Sequence, residues 1–282
     1  MADGRHRQGV ITSVGNLKVP EVTIYFWIVK LLTTAMGEAT SDFLVNDWNK
    51  YLGVLLGLVL FAVAMFFQLR SKTYSTWLYW VAVSMVAVFG TQCADVLHVQ
   101  FQVPYIGSFA LYAVLLAATF ITWYVSERTL DIHSINTRRR EVFYWLTVIF
   151  TFAMGTAVGD LTATTFSLGY LTSALMFLAA ILVPLAGWRL GLNAVATFWV
   201  AYVLTRPIGA SFADYFGMPK NISGMGLGHG PVAAVLIVIV ALAIWFLKAS
   251  GKDAQRSAVQ PPPQAEAQTV NSTPWASGSL PE

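Results

Sequence analysis

The chain has 282 residues, 56% of them hydrophobic and only 11% charged, with mean hydropathy +0.62 and net charge +3. A soluble globular chain carries roughly a quarter charged residues, so this composition excludes a water-soluble enzyme or binding domain and predicts a membrane protein. The basic residues lie in short stretches between apolar runs, as topology signals do, and nucleic-acid binding is not expected.

Residues 1–17 are polar, lack the apolar core of a cleavable signal, and read as a disordered cytoplasmic arm. Eight apolar runs follow, at 21–42, 53–69, 77–96, 106–124, 142–160, 166–187, 193–214 and 231–248. Each is about the length that crosses a hydrocarbon core of roughly 30 Å as a helix. Their apolarity is continuous rather than alternating, so helices are expected and not barrel strands. Residues 249–282, with Pro261, Pro262 and Pro263, read as a disordered Pro-rich cytoplasmic tail.

Lys and Arg set the orientation. Arg5, Arg7 and Lys18 precede the first span; Arg70 and Lys72 follow the second, Arg128 and Arg138 to Arg140 the fourth, Arg189 the sixth, and Lys248, Lys252 and Arg256 the eighth. The opposite side holds only Lys50 and Lys220. Both termini are therefore expected in the cytoplasm, as an even number of spans requires.

The odd-numbered spans align without gaps. Trp27, Trp80, Trp145 and Trp199 each follow an aromatic residue; Gly37, Gly90, Gly155 and Gly209 come ten residues later; Asp42, Asp95, Asp160 and Asp214 come fifteen later. The residue before each Asp is small: Ser41, Ala94, Gly159 and Ala213. The membrane domain, 18–248, thus reads as four tandem two-helix repeats, at about 18–69, 72–124, 138–187 and 190–248. With two spans per repeat, all four copies share one orientation. The expected fold is an all-α, polytopic, pseudo-fourfold bundle of eight transmembrane helices, odd ones inside and even ones outside.

At 100° and 1.5 Å per residue, Trp and Asp of one repeat lie about 60° apart on one face, roughly 22 Å apart along it. Glu38 and Arg206 fall about 20° from their tryptophans and Lys30 about 60°, on the same stripe. The even spans carry no ionisable residue in their interiors. Charge facing lipid is costly, so this stripe should line the bundle centre. The small residues flanking it suit close helix contacts.

The four Asp then gather at the outer end as an electronegative vestibule, of the kind that attracts cations. Mutual repulsion favours partial protonation and so permits proton coupling. Against this stands a plainer reading, in which each Asp caps the segment after it and each Trp is an interfacial anchor. Lys30, Glu38 and Arg206 occur in one repeat each, so they are functional candidates or a structural ion pair of Glu38 with Arg206 or Lys30. Pro207 should loosen the helix beside Arg206. Cys93, Asp95 and His98 form a weak metal-ligand candidate. Cys93, the lone cysteine, excludes an intramolecular disulfide. Gly224, Gly226, Gly228, His229 and Gly230 read as a flexible outer loop without nucleotide-binding context.

Several stretches carry a further likeness: Lys18-Val19-Pro20-Glu21, Phe26-Trp27, Lys30, Gly37-Glu38, Ser126-Glu127-Arg128-Thr129-Leu130, Thr137-Arg138-Arg139-Arg140-Glu141 and Thr205-Arg206-Pro207-Ile208-Gly209-Ala210. Together they resemble a bacterial family of four-repeat membrane-anchored proteins of unknown function, each repeat a pair of transmembrane segments with a characteristic Trp. The resemblance spans about 18–248 and implies a bacterial cytoplasmic membrane location. It names no substrate.

The residues lead to a transporter or channel for a small cation, a divalent metal or a proton-coupled solute, with the bilayer as partner and no cofactor. No nucleophile–base pair stands out, so an enzyme is not expected. The alternative is an accessory or structural membrane protein, in which the basic 126–141 loop and the tail bind a membrane partner, another copy or anionic lipid.

Overall fold

The computed structural model describes residues 17–254, and among these every regular element is helical. The helices are α1 (Ile24–Asp42), α2 (Lys50–Arg70), α3 (Thr76–Asp95), α4 (Tyr105–Glu127), α5 (Arg138–Asp160), α6 (Tyr170–Ala180), α7 (Leu182–Arg189), α8 (Ala194–Gly217) and α9 (His229–Ser250). Their limits follow local chemistry. Side-chain oxygens of Thr23, Asn49, Thr137 and Asn193 accept backbone N–H bonds at the starts of α1, α2, α5 and α8. Arg128 and Gly251, in the left-handed region, end α4 and α9.

Each apolar run is helical, but the sixth is broken at Ile181 into α6 and α7. Pro184 has no N–H to bond the Ala180 carbonyl four residues back, which accounts for the break. Six stretches are long and apolar enough to cross a membrane: 50–70, 76–100, 105–127, 138–165, 170–189 and 229–250. The protein is thus a multi-pass helical membrane protein. Outside that set fall α1 and α8, which carry Lys30, Glu38 and Asp42, and Arg206 and Asp214.

Four helices touch in a closed circuit: α1 with α3, α3 with α5, α5 with α8, and α8 with α1. The repeated glycines make these contacts. Gly37 lies against Ala87, Gly90 against Phe152, Gly155 against Arg206, and Gly209 against Thr34. Each partner is the seventh residue after the tryptophan of the next helix in the circuit. A methyl group at any of the four glycines would overlap its partner. The remaining helices also pack in rotation: α2 on α3, α4 on α5, α6 on α8, and α9 on α1. Burial separates the two sets, with 61% and 67% of the most apolar stretches of α3 and α5 buried, against 28% for those of α2, α4 and α9.

The stretches assigned to arm and tail are held at their edges. Leu17 accepts a bond from Tyr74 N, and Asp253 accepts one from Glu21 N. Asp253 is buried, and its carboxylate bonds the Tyr74 hydroxyl. Residues 1–16 and 255–282 lie outside the described residues. The basic 126–141 loop folds on itself, with Arg140 2.9 Å and Arg139 3.4 Å from Glu127 and Trp199 Nε1 donating to Leu130 O.

Candidate functional site

Because the repeats are gapless, equal counts from each tryptophan define levels along the circuit, four residues or about 6 Å apart. The residues before the tryptophans, Phe26, Tyr79, Tyr144 and Phe198, form an aromatic layer. The Tyr79 and Tyr144 hydroxyls are 2.5 Å apart, and the Phe26 and Phe198 rings 6.2 Å. Trp80, Trp145 and Trp199 are buried in it and pack into the core, while Trp27 is half-buried against that core. At the same end Lys18 Nζ meets Glu141 at 2.5 Å and Gln68 donates to Glu141 at 3.1 Å. Burial and the adjacent Asp253 push the Tyr74 hydroxyl above the ordinary tyrosine range.

The next two levels hold the unusual cations. Lys30 and Arg206 are fully buried. Lys30 Nζ stands 4.3 Å from the Phe152 ring centroid and 4.1 Å from that of Tyr202. The Arg206 guanidinium carbon lies 3.2 Å from the Phe152 centroid, and its Nη2 donates to Phe152 O at 3.5 Å. Lys30 Nζ and Arg206 Nε and Nη1 have no acceptor. A desolvated cation–π contact gives about 2 kcal/mol, whereas removing an ion from water costs several kcal/mol. The rings alone therefore leave both cations under-compensated. Pro207 follows within α8 and frees the Val203 carbonyl from its helical partner.

One level further stand Glu38, Thr91, Thr156 and Ala210. Glu38 is buried, and one carboxylate oxygen accepts from the hydroxyls of Thr91 and Thr156, both at 2.9 Å. Those two hydroxyls are themselves 3.3 Å apart. Three equivalent positions thus meet at one point. The alternative reading, a structural ion pair of Glu38 with Arg206 or Lys30, does not form: among the described residues the Lys and Arg pairs are Lys18–Glu141 and Arg139 and Arg140 with Glu127. Level explains it, since Arg206 and Lys30 sit about 6 and 12 Å short of Glu38 along the helices.

At the far end lie the aspartates. Asp42 and Asp214 are buried, Asp95 and Asp160 half-buried, and all four lie within electrostatic range of Glu38. Ser41 donates to Asp95 across the α1–α3 contact at 3.4 Å. After Asp42, Asp95 and Asp160 the chain continues as π-helical turns, 43–48, 96–100 and 161–165. None of these three carboxylates accepts a backbone N–H of the turn it precedes, and Asp42 takes only the Asn46 side-chain amide, at 3.4 Å. Such wide turns occur frequently at functional sites.

Among the described residues no three His, Cys, Asp or Glu are grouped to hold a metal ion. His98 does not join Cys93 and Asp95: it bonds Val103 O at 2.8 Å and stacks on Tyr105, while Asp95 faces Ser41. The Gly-rich stretch is not a loose loop, because the N–H groups of Met225, Gly226, Leu227 and Gly228 bond carbonyls of residues 215–218. It delivers His229 to the aspartate end, 3.8 Å from Asp42 and 3.3 Å from Asp47. Nothing local in the sequence marks His229, since its partners lie some 180 residues away.

A family model described as "Repeat of Unknown Function (DUF347)" matches the chain four times, at residues 25–74, 78–129, 143–190 and 197–253. No curated protein and no solved structure matches it.

Proposed function

The chain belongs to this repeat family, and on that premise we propose that it is a transporter of a small solute coupled to protons or another small cation. In this reading eight helices cross a bacterial cytoplasmic membrane, with both termini in the cytoplasm as the Lys and Arg distribution requires. Four parallel repeats surround one axis, with α1, α3, α5 and α8 inside and α2, α4, α6–α7 and α9 facing lipid. Asp42, Asp95, Asp160 and Asp214 form the outer vestibule, Glu38 is the inner carboxylate, and Lys30 and Arg206 line the deeper path. The aromatic layer with the Lys18–Glu141 pair closes the cytoplasmic end.

The observation that carries the reading is the meeting of Glu38, Thr91 and Thr156 at equal counts along three repeats. A buried carboxylate where equivalent positions converge lies on the axis, where a transported ion would pass. Intramembrane carboxylates facing a bundle interior are typical of ion and proton pathways. The proton fits better than a divalent metal, because hydroxyls, not further carboxylates, complete the Glu38 site. The test is proton and solute flux in liposomes containing the full chain or Asp160→Asn. Saturable flux reduced by the substitution is expected; equal flux in both overturns the vestibule role.

A further inference from the structure

Lys30 and Arg206 pose a problem that the proton pathway does not solve. Both are fully buried, both approach the Phe152 ring, and neither is ion-paired. Three of their nitrogens, Lys30 Nζ and Arg206 Nε and Nη1, lack an acceptor. Buried donors are ordinarily satisfied, and each exception calls for a reason. Buried cations demand it more strongly, because their interactions are amplified where the dielectric is low.

The helices that present them adjoin each other. Gly209 of α8 lies against Thr34 of α1, which brings the Lys30 and Arg206 turns side by side. The nearest carboxylate, Glu38, bonds the hydroxyls of Thr91 and Thr156 through one oxygen and forms no ion pair with either cation.

We propose that Lys30 and Arg206 form a binding site for a small monovalent oxyanion, a carboxylate being the simplest case, at mid-depth in the four-helix circuit. A monoanion supplies oxygen acceptors for the unpaired N–H groups of the two buried cations. Guanidinium and ammonium donors are the usual partners of such oxygens. The proposal rests on the transport reading in one respect, since it makes the solute an anion accompanied by protons. Binding itself is measurable without flux.

The experiment titrates the purified full chain with sodium acetate or sodium nitrate in place of sodium chloride and follows thermal unfolding by tryptophan fluorescence. Saturable stabilisation is expected. Losing one charged hydrogen bond should weaken the apparent affinity at least roughly tenfold in Lys30→Gln or Arg206→Gln. Arg206→Lys, which keeps the charge, should retain part of it and guards against a misfolded Arg206→Gln. Absence of saturable stabilisation by either anion overturns the site, as does unaltered affinity in both Gln variants. Anion binding without proton flux keeps this site and overturns the transport reading; flux without anion binding does the reverse.

Discussion

At one end of the four-helix circuit the repeated side chains are aromatic; at the other they are carboxylic. Both ends derive from one fifteen-residue pattern, yet they are put together differently. The aromatic end is buried and tied by Tyr79–Tyr144, Lys18–Glu141 and Tyr74–Asp253. The aspartate end is half-open, with Asp95 and Asp160 partly exposed and three helices widening into π turns. One repeat thus serves stability at one end, where apolar area is buried, and gathers carboxylates at the other, where two of the four are half-exposed. Substitutions should accordingly separate: aromatic-end changes move unfolding, aspartate-end changes move flux.

The largest effect belongs to the aromatic layer. Trp80→Ala empties a fully buried site and should cost about 3–5 kcal/mol, read as a large fall in unfolding temperature. Gly209→Ala forces a methyl into Thr34 and should cost about 1–3 kcal/mol, measured the same way. Tyr79→Phe leaves the Tyr144 hydroxyl without its partner and should cost roughly 1–3 kcal/mol. The smallest stability change is expected from Asp95→Asn, within about 0.5 kcal/mol for a partly exposed side chain, while proton flux falls. If Asp95→Asn destabilised as much as Trp80→Ala, the division between the two ends would fail.

Most of this division is legible in the sequence because the repeat is gapless. Trp, Gly and Asp at fixed intervals identify four equivalent helices, and the helix angle puts Lys30, Glu38 and Arg206 on their shared stripe. The partner of each glycine is not legible, because it depends on the offset between neighbouring helices. Glu38 meets Thr91 and Thr156 at an equal count from their tryptophans, while Arg206 stands one level short. Lys18 reads as one more topology charge until the chain crosses the helix ends and brings it to Glu141. His229 reads as part of a loose loop until backbone bonds to residues 215–218 hold it near Asp42. Long-range contacts between unlike segments leave no periodic trace.

The central claim is that the carboxylate at the convergence of the repeats lies on the transport path. Glu38→Gln tests it most directly, because an amide oxygen still accepts the two threonine hydroxyls, while the group no longer carries a proton. Proton flux into liposomes should be lost with the unfolding temperature nearly unchanged. Full flux through Glu38→Gln would contradict the account.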